Sequence, residues 1–154
     1  PAELWYATNA GGSWQRVEIG DDLFEVGYGG YNSIAVDSSD KVHISYYSKS
    51  GHLDYTTNAT GSWTFYTVDN DESVGLFNSI AVDSDGHVHI SYRDHNNKAL
   101  KYATNDTGNW QVLAIDSNGD AGEFPSIAMD SDDYVHISYA SLNGIKYATN
   151  RPPE

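Results

Sequence analysis

The chain has 154 residues, with 22 acidic against 8 basic side chains, a net charge of −14 and no cysteine. That length suffices for one domain with a real core, and the charge disfavours nucleic acid or a membrane surface as partner, because phosphate recognition needs Lys and Arg. Disulfides, thiolate metal sites and cysteine nucleophiles are excluded, and no run reaches the roughly 18–20 apolar residues of a bilayer span.

The opening "PAELWYATN" has no charged n-region, apolar h-region or initiator Met, which predicts a processed chain or an excerpt of a longer one. Two strand-like runs follow over 4–19, "LWYATN" and "WQRVEI". After the acidic stretch "GDDLFEVGYGG", four runs fill 33–68 and take the roles A to D. A is "SIAVD"; B is "VHISY", which alternates in the two-residue period of a strand. C is "LDYTTN" and D is "WTFYTV", joined by a Gly-containing turn. The same four runs recur over 79–115, and A, B and C recur over 126–150. The step between equivalent tyrosines (Tyr6, Tyr55, Tyr102, Tyr147) is 49, 47 and 45 residues. A motif repeated at constant spacing describes architecture. No window shows a sustained 3.6-residue apolar period, so the chain is predicted to be all-β, one repeat domain over 1–154.

Four antiparallel strands in about 45 residues, joined by one longer loop, are the signature of a β-propeller blade. A blade with two apolar faces must stack on neighbours. In B, His and Ser face one side while Val, Ile and Tyr face the other. The small residue of A (Ala35, Ala81, Ala128) suits the crowded innermost strands. Strands A and B are therefore expected to be almost wholly buried. Thirteen strands make three blade-equivalents and one spare strand, whereas propellers close with about four to eight blades. A homodimer of six blades is the predicted closure. One copy of C, Leu4–Asn9 or Ile145–Asn150, is then surplus, and the latter is expected to pair locally through its short loop.

The unit "SIAVDSDGHVHISYRD…LKYATN…GNWQVLAIDSNGDAG" resembles the "SIA-D-G-HISYYD…LKYA…W" repeats of secreted or surface-associated bacterial and archaeal propeller proteins, over Leu4–Asn150. The resemblance implies the propeller fold and an extracellular or cell-surface location, and carries no catalytic residue. A weaker similarity links "DSDG" to the Asp-box turns of sialidase propellers.

Several side chains invite chemistry. His43, His89 and His136 suit a metal, but their equivalent places in successive blades favour histidines hydrogen-bonded between blades. Asp116, Asn118 and Asp120 space like the start of a calcium loop, without its closing bidentate Glu. No metal or cofactor is expected. The Asp-rich turns after A (37–40, 83–86, 130–133) read as Asx turns. Trp14, Trp63 and Trp110 can stack on sugar rings or cover the rim between blades, the rim being favoured. Asn58 and Asn105 sit in glycosylation sequons within the C–D turn.

The repeats differ most in the B–C and D–A connections, which leave a propeller on one face, and variable loops on a rigid scaffold carry binding sites. Tyr28, Tyr47, Phe77, Arg93, Asp94, His95 and Phe124 form the predicted ligand surface, with ordinary loop variation as its rival. The function expected is a non-enzymatic binding module for a carbohydrate or protein ligand, since repeated shallow sites favour avidity. A glycosidase- or lyase-like enzyme using loop carboxylates and a purely structural assembly unit stand as alternatives.

Overall fold

The computed structural model describes residues 2–24 and 30–153. The described residues form thirteen strands and no helix: β1 (Ala2–Thr8), β2 (Gln15–Phe24), β3 (Asn32–Val36), β4 (Val42–Tyr47), β5 (Leu53–Thr57), β6 (Thr64–Asp69), β7 (Val74–Val82), β8 (Val88–Asp94), β9 (Ala99–Thr104), β10 (Gln111–Asp116), β11 (Glu123–Met129), β12 (Val135–Ser141) and β13 (Gly144–Thr149). They make four antiparallel meanders in chain order: β1–β2, β3–β6, β7–β10 and β11–β13. These are the blades of a β-propeller, with β3, β7 and β11 packed side by side as the innermost strands.

The repeat fixes register. Ser33 pairs Ser45, Ser79 pairs Ser91 and Ser126 pairs Ser138. In the second to fourth sheets the Asn that closes the "YATN" or "YTTN" element locks the start of strand B, its Oδ1 accepting from a backbone N–H there. Val42 N donates to Asn58 at 2.8 Å, Val88 N to Asn105 at 2.7 Å and Val135 N to Asn150 at 2.8 Å. Sheets are also stitched to each other through the inner strands. Ile80 N donates to Ser33 Oγ at 3.3 Å, and Ile127 N donates to Ser79 Oγ at 3.2 Å.

Apolar side chains fill each junction. Leu4 and Ile19 of the first sheet pack against Val42, Ile44 and Tyr46 of the second. Leu53, Tyr55 and Val68 meet Val88, Ile90 and Tyr92, and Leu100 meets Ile127, Val135, Ile137 and Tyr139. Strand B is buried as expected in β4 and β8. Strand A is not, which corrects the expectation of full burial. Ile80, facing the second sheet, is 6 % exposed, whereas its counterpart Ile34 is 52 % exposed. The first sheet has no A or B strand to cover Ile34. At the other end the fourth sheet has no neighbour beyond it, so Ile145 is 87 % exposed where its counterpart Leu100 is fully buried. Two blade faces are open.

Strand A also starts earlier than its motif. β7 and β11 each carry an irregularity just before "SIA", where Phe77 and Phe124 adopt φ of 52° and 47°. A bulky residue in the left-handed region is uncommon; here it lies at the bulge within the innermost strand.

Candidate functional site

At the end of the blades carrying the B–C and D–A connections, the structure sorts the expected ligand surface into two groups. Arg93 is buried and spends its guanidinium on the neighbouring sheet: Nη1 donates to Ala121 O at 2.8 Å and Nη2 to Asp120 Oδ1. That guanidinium holds the Asp120 carboxyl below its ordinary range. Asp94 is buried too, and accepts from the backbone and side-chain amides of Asn97. His95 is exposed and Tyr47 half-buried. The second group is aromatic. The rings of Tyr31 and Phe77 lie 4.5 Å apart, and those of Phe77 and Phe124 also 4.5 Å, a ladder running from blade to blade. Tyr28 lies outside the described residues.

Below that end the second and third junctions each hold a carboxylate, buried Asp69 and half-buried Asp116. Tyr92 Oη donates to Asp69 at 2.6 Å, and Lys101 Nζ approaches the same carboxyl at 2.6 Å. Tyr139 and Lys146 hold Asp116 in the same way, at 2.9 and 2.7 Å. Burial pushes the Asp69 carboxyl up, but Lys101 and Tyr92 outweigh it, and the net shift is downward. Burial and then Asp116 raise the Tyr139 hydroxyl to about 12. Asp116 and Asp120, spaced in sequence like the start of a calcium loop, are thus engaged by Lys146 and Arg93.

The opposite end, with the A–B and C–D turns, carries features the sequence reading placed elsewhere or missed. The histidines bond within a blade, not between blades, which corrects that expectation. His43 Nδ1 lies 2.6 Å from Tyr55 Oη and its Nε2 3.2 Å from Asp37 Oδ2. His89 with Tyr102 and Asp83, and His136 with Tyr147 and Asp130, repeat the arrangement. An ionised carboxylate only accepts, so in the neutral imidazole Nε2 carries the proton and Nδ1 accepts from tyrosine. Burial pushes the Tyr55 and Tyr102 hydroxyls to about 12, which keeps them donors. Each aspartate meanwhile closes its Asx turn: Asp83 Oδ1 accepts from the backbone of Asp85 at 3.0 Å and His87 at 2.7 Å.

The tyrosines of the first two units, Tyr55 and Tyr102, line two clefts between blades. The first, with a volume of about 440 Å³, lies between the second and third sheets and is lined by His43, Tyr55, Thr57, Tyr66, Asn105 and Trp110, among others. Trp110 meets Tyr55 edge-on at 5.3 Å, and Tyr66 lies 5.9 Å from the same ring. The cleft between the third and fourth sheets, about 270 Å³, has Tyr102, Thr104, Gln111, Leu113 and Asn150 on its walls. Tyr6 and Trp63 make the corresponding edge contact at the first junction, 6.0 Å apart. So the tyrosine of strand C meets the tryptophan that opens strand D one blade later. Trp63 and Trp110 are half-buried in this way, but Trp14 is 75 % exposed, contrary to the expected rim burial. Among the described residues lining the two clefts, Asp106 is the only carboxylate. Acid–base hydrolysis uses two, about 5–9 Å apart.

No protein-family model matches the sequence, and no curated protein matches it. Among solved structures, the chain is similar to AofleA from Arthrobotrys oligospora (TM-score 0.70, 14% identity), covering 97% of this chain and 47% of that one. It is similar to the Aleuria aurantia lectin solved with α-methyl-L-fucoside (TM-score 0.64, 13% identity), covering 95% of this chain and 51% of the lectin. It is also similar to the intramolecular trans-sialidase of Ruminococcus gnavus (TM-score 0.59, 16% identity), covering 94% and 37%. The chain spans about half the length of the first two, and at these identities the likeness is one of fold: a β-propeller.

Proposed function

We propose that the chain is a non-enzymatic carbohydrate-recognition module of a secreted or cell-surface protein, which holds sugar in its inter-blade clefts and acts as a homodimer. The observation that carries this reading is the cleft between the second and third sheets, where Tyr55, Tyr66 and Trp110 surround hydroxyl, amide and imidazole groups. Such walls suit a sugar, whose C–H face stacks on aromatic rings while its hydroxyls bond polar groups. The Aleuria lectin, a propeller-type neighbour bound to a fucoside, supports the ligand class. Its length, about twice that of this chain, supports the pairing of two copies. The lone carboxylate on the cleft walls disfavours hydrolysis.

Titration with α-methyl-L-fucoside, then with galactosides, mannosides and sialosides, tests the reading through tryptophan fluorescence. Saturable change is expected for at least one sugar and is lost in Tyr66→Ala, whose side chain is exposed enough to leave folding intact. No response across the panel, an unaltered response in Tyr66→Ala, or turnover of chromogenic glycosides overturns it.

The B–C/D–A loop face is a second reading, favoured by the exposed end of the Tyr31–Phe77–Phe124 ladder. Sugar binding that survives Tyr66→Ala and disappears in Phe124→Ala selects it.

A further inference from the structure

Resting on the homodimer reading, we propose that two copies of the 154-residue chain close one six-bladed ring by exchanging a strand. β13 of each copy displaces the partner's β1 from beside β2, and the partner's Trp14 completes the cleft between the third and fourth sheets.

The fourth sheet holds A, B and C without D; the first holds C and D without A and B. Joined, they make one full blade with one strand C too many. β1 and β13 compete for that place with nearly the same sequence, "LWYATN" against "IKYATN". β2 pairs Thr8 with Gln15, Ala7 with Arg16, Tyr6 with Val17 and Trp5 with Glu18. The third sheet pairs Thr104 with Gln111 in the same register. In that frame β13 offers β2 the same Thr, Ala and Tyr, and sets Lys146 where Trp5 faces Glu18. Opposite charges on facing strands are favourable. β13 also makes bonds that β1 in its place would lose, because Lys146 holds Asp116 and a tryptophan has no ammonium to do so.

The two open faces are complementary by the chain's own precedent. Ser33 accepts from Ile80 N and Ser79 from Ile127 N; Ser126, exposed, is placed to accept from Ile34 N of the partner subunit. Ser45 Oγ donates to Asn78 Oδ1 at 2.6 Å, and Ser138 takes the same role toward Asn32 of the partner subunit. The aromatic ladder continues from Phe124, 67 % exposed, to the partner subunit's Tyr31. Most directly, Tyr6 meets Trp63 and Tyr55 meets Trp110, while the cleft beside Tyr102 has no tryptophan among its described lining residues. Trp14 of the partner subunit opens the missing strand D and enters there. Each copy carries a charge of −14, so long-range repulsion opposes pairing and is screened within about 8 Å at physiological salt.

The absence of cysteine allows a direct test. In the double variant Gln15→Cys/Thr149→Cys, both positions are exposed, and position 15 of one copy faces position 149 of the other only after exchange. Mild oxidation at micromolar concentration and about 0.15 M salt is expected to give a covalent species of twice the 16.9 kDa chain mass, with peptides carrying the two substituted positions joined by a disulfide on mapping. Leu4→Ala, which loosens the buried anchor of β1, is expected to speed cross-linking several-fold. A two-chain mass by light scattering without the cross-link keeps the homodimer and refutes the exchange. A single-chain mass refutes both, and an open ladder of higher multimers refutes closure. Sugar binding is read separately: a cross-linked dimer that binds no sugar leaves the exchange standing and removes the carbohydrate reading.

Discussion

Ser45 and Ser91 occupy equivalent buried places in strand B, yet only one of them has a partner. Ser45 Oγ donates to Asn78 Oδ1 at 2.6 Å, and the Asn78 amide group donates to Tyr31 O and Gly75 O. One unit later the place of Asn78 is taken by Pro125, which offers no side-chain acceptor, and Ser91 Oγ has no hydrogen-bond partner among the described residues. Ser45→Ala leaves the Asn78 carbonyl buried and unanswered, which costs about 1–3 kcal/mol. Ser91→Ala removes a hydroxyl that is already unsatisfied and is expected to be neutral or to stabilise by up to about 1 kcal/mol. At roughly 2–4 °C per kcal/mol for a chain of this size, Ser45→Ala lowers the melting temperature by several degrees while Ser91→Ala does not lower it. Thermal unfolding followed by circular dichroism measures both. An equal fall in the two variants refutes the reasoning, because it would mean that the Asn78 bond contributes nothing beyond the loss of a hydroxyl.

Gly122 has φ +88°, and a Cβ there would stand 2.7 Å from Ala99 O and 2.8 Å from Leu100 Cα, whereas Gly86, at φ +87°, has open space. Gly86→Ala should cost about 1–2 kcal/mol from backbone conformation alone and Gly122→Ala clearly more; equal urea midpoints would remove the close approach as a cause. Asp37, Asp83 and Asp130 all have carboxyls held below the ordinary 3.8: for Asp37 and Asp83 burial is outweighed by hydrogen bonds, and for Asp130 the His136 bond leads. Their folded values lie below the unfolded ones, so the stability they contribute is complete above about pH 5 and drains away as the pH falls further. A melting temperature that stays level from about pH 4 to pH 2 would contradict this.

The blade was legible because its information is local and repeated. The alternation of "VHISY", the turn after each "SIA" strand and the constant period all point to four-stranded sheets, and β3–β10 realise them. What is set between units was harder to read. Arg93 and Asp94 stand out in the sequence as variable charged loop residues, but their fate depends on Asp120, Ala121 and Asn97. The histidines carry no sign of which tyrosine they meet, and strand pairing places it in their own blade. The aromatic cleft joins Tyr55 to Trp110 of the next unit, a contact visible in sequence only as two residue types recurring with the same period. Ile34 and Ile145 look like their buried counterparts; their exposure follows from which neighbours the thirteen strands supply.

The serine of strand A gives its hydroxyl oxygen to the following unit and its own unit's isoleucine N–H to the preceding one, with partners 47 and 48 residues apart. The third sheet therefore carries both halves of one joint, as a link of chain carries both of its ends. Copying a unit by duplication copies a working joint with it, and deletion of a unit leaves its former neighbours able to meet. A propeller of this kind can change its number of blades, or divide them among separate polypeptides, without inventing a new contact.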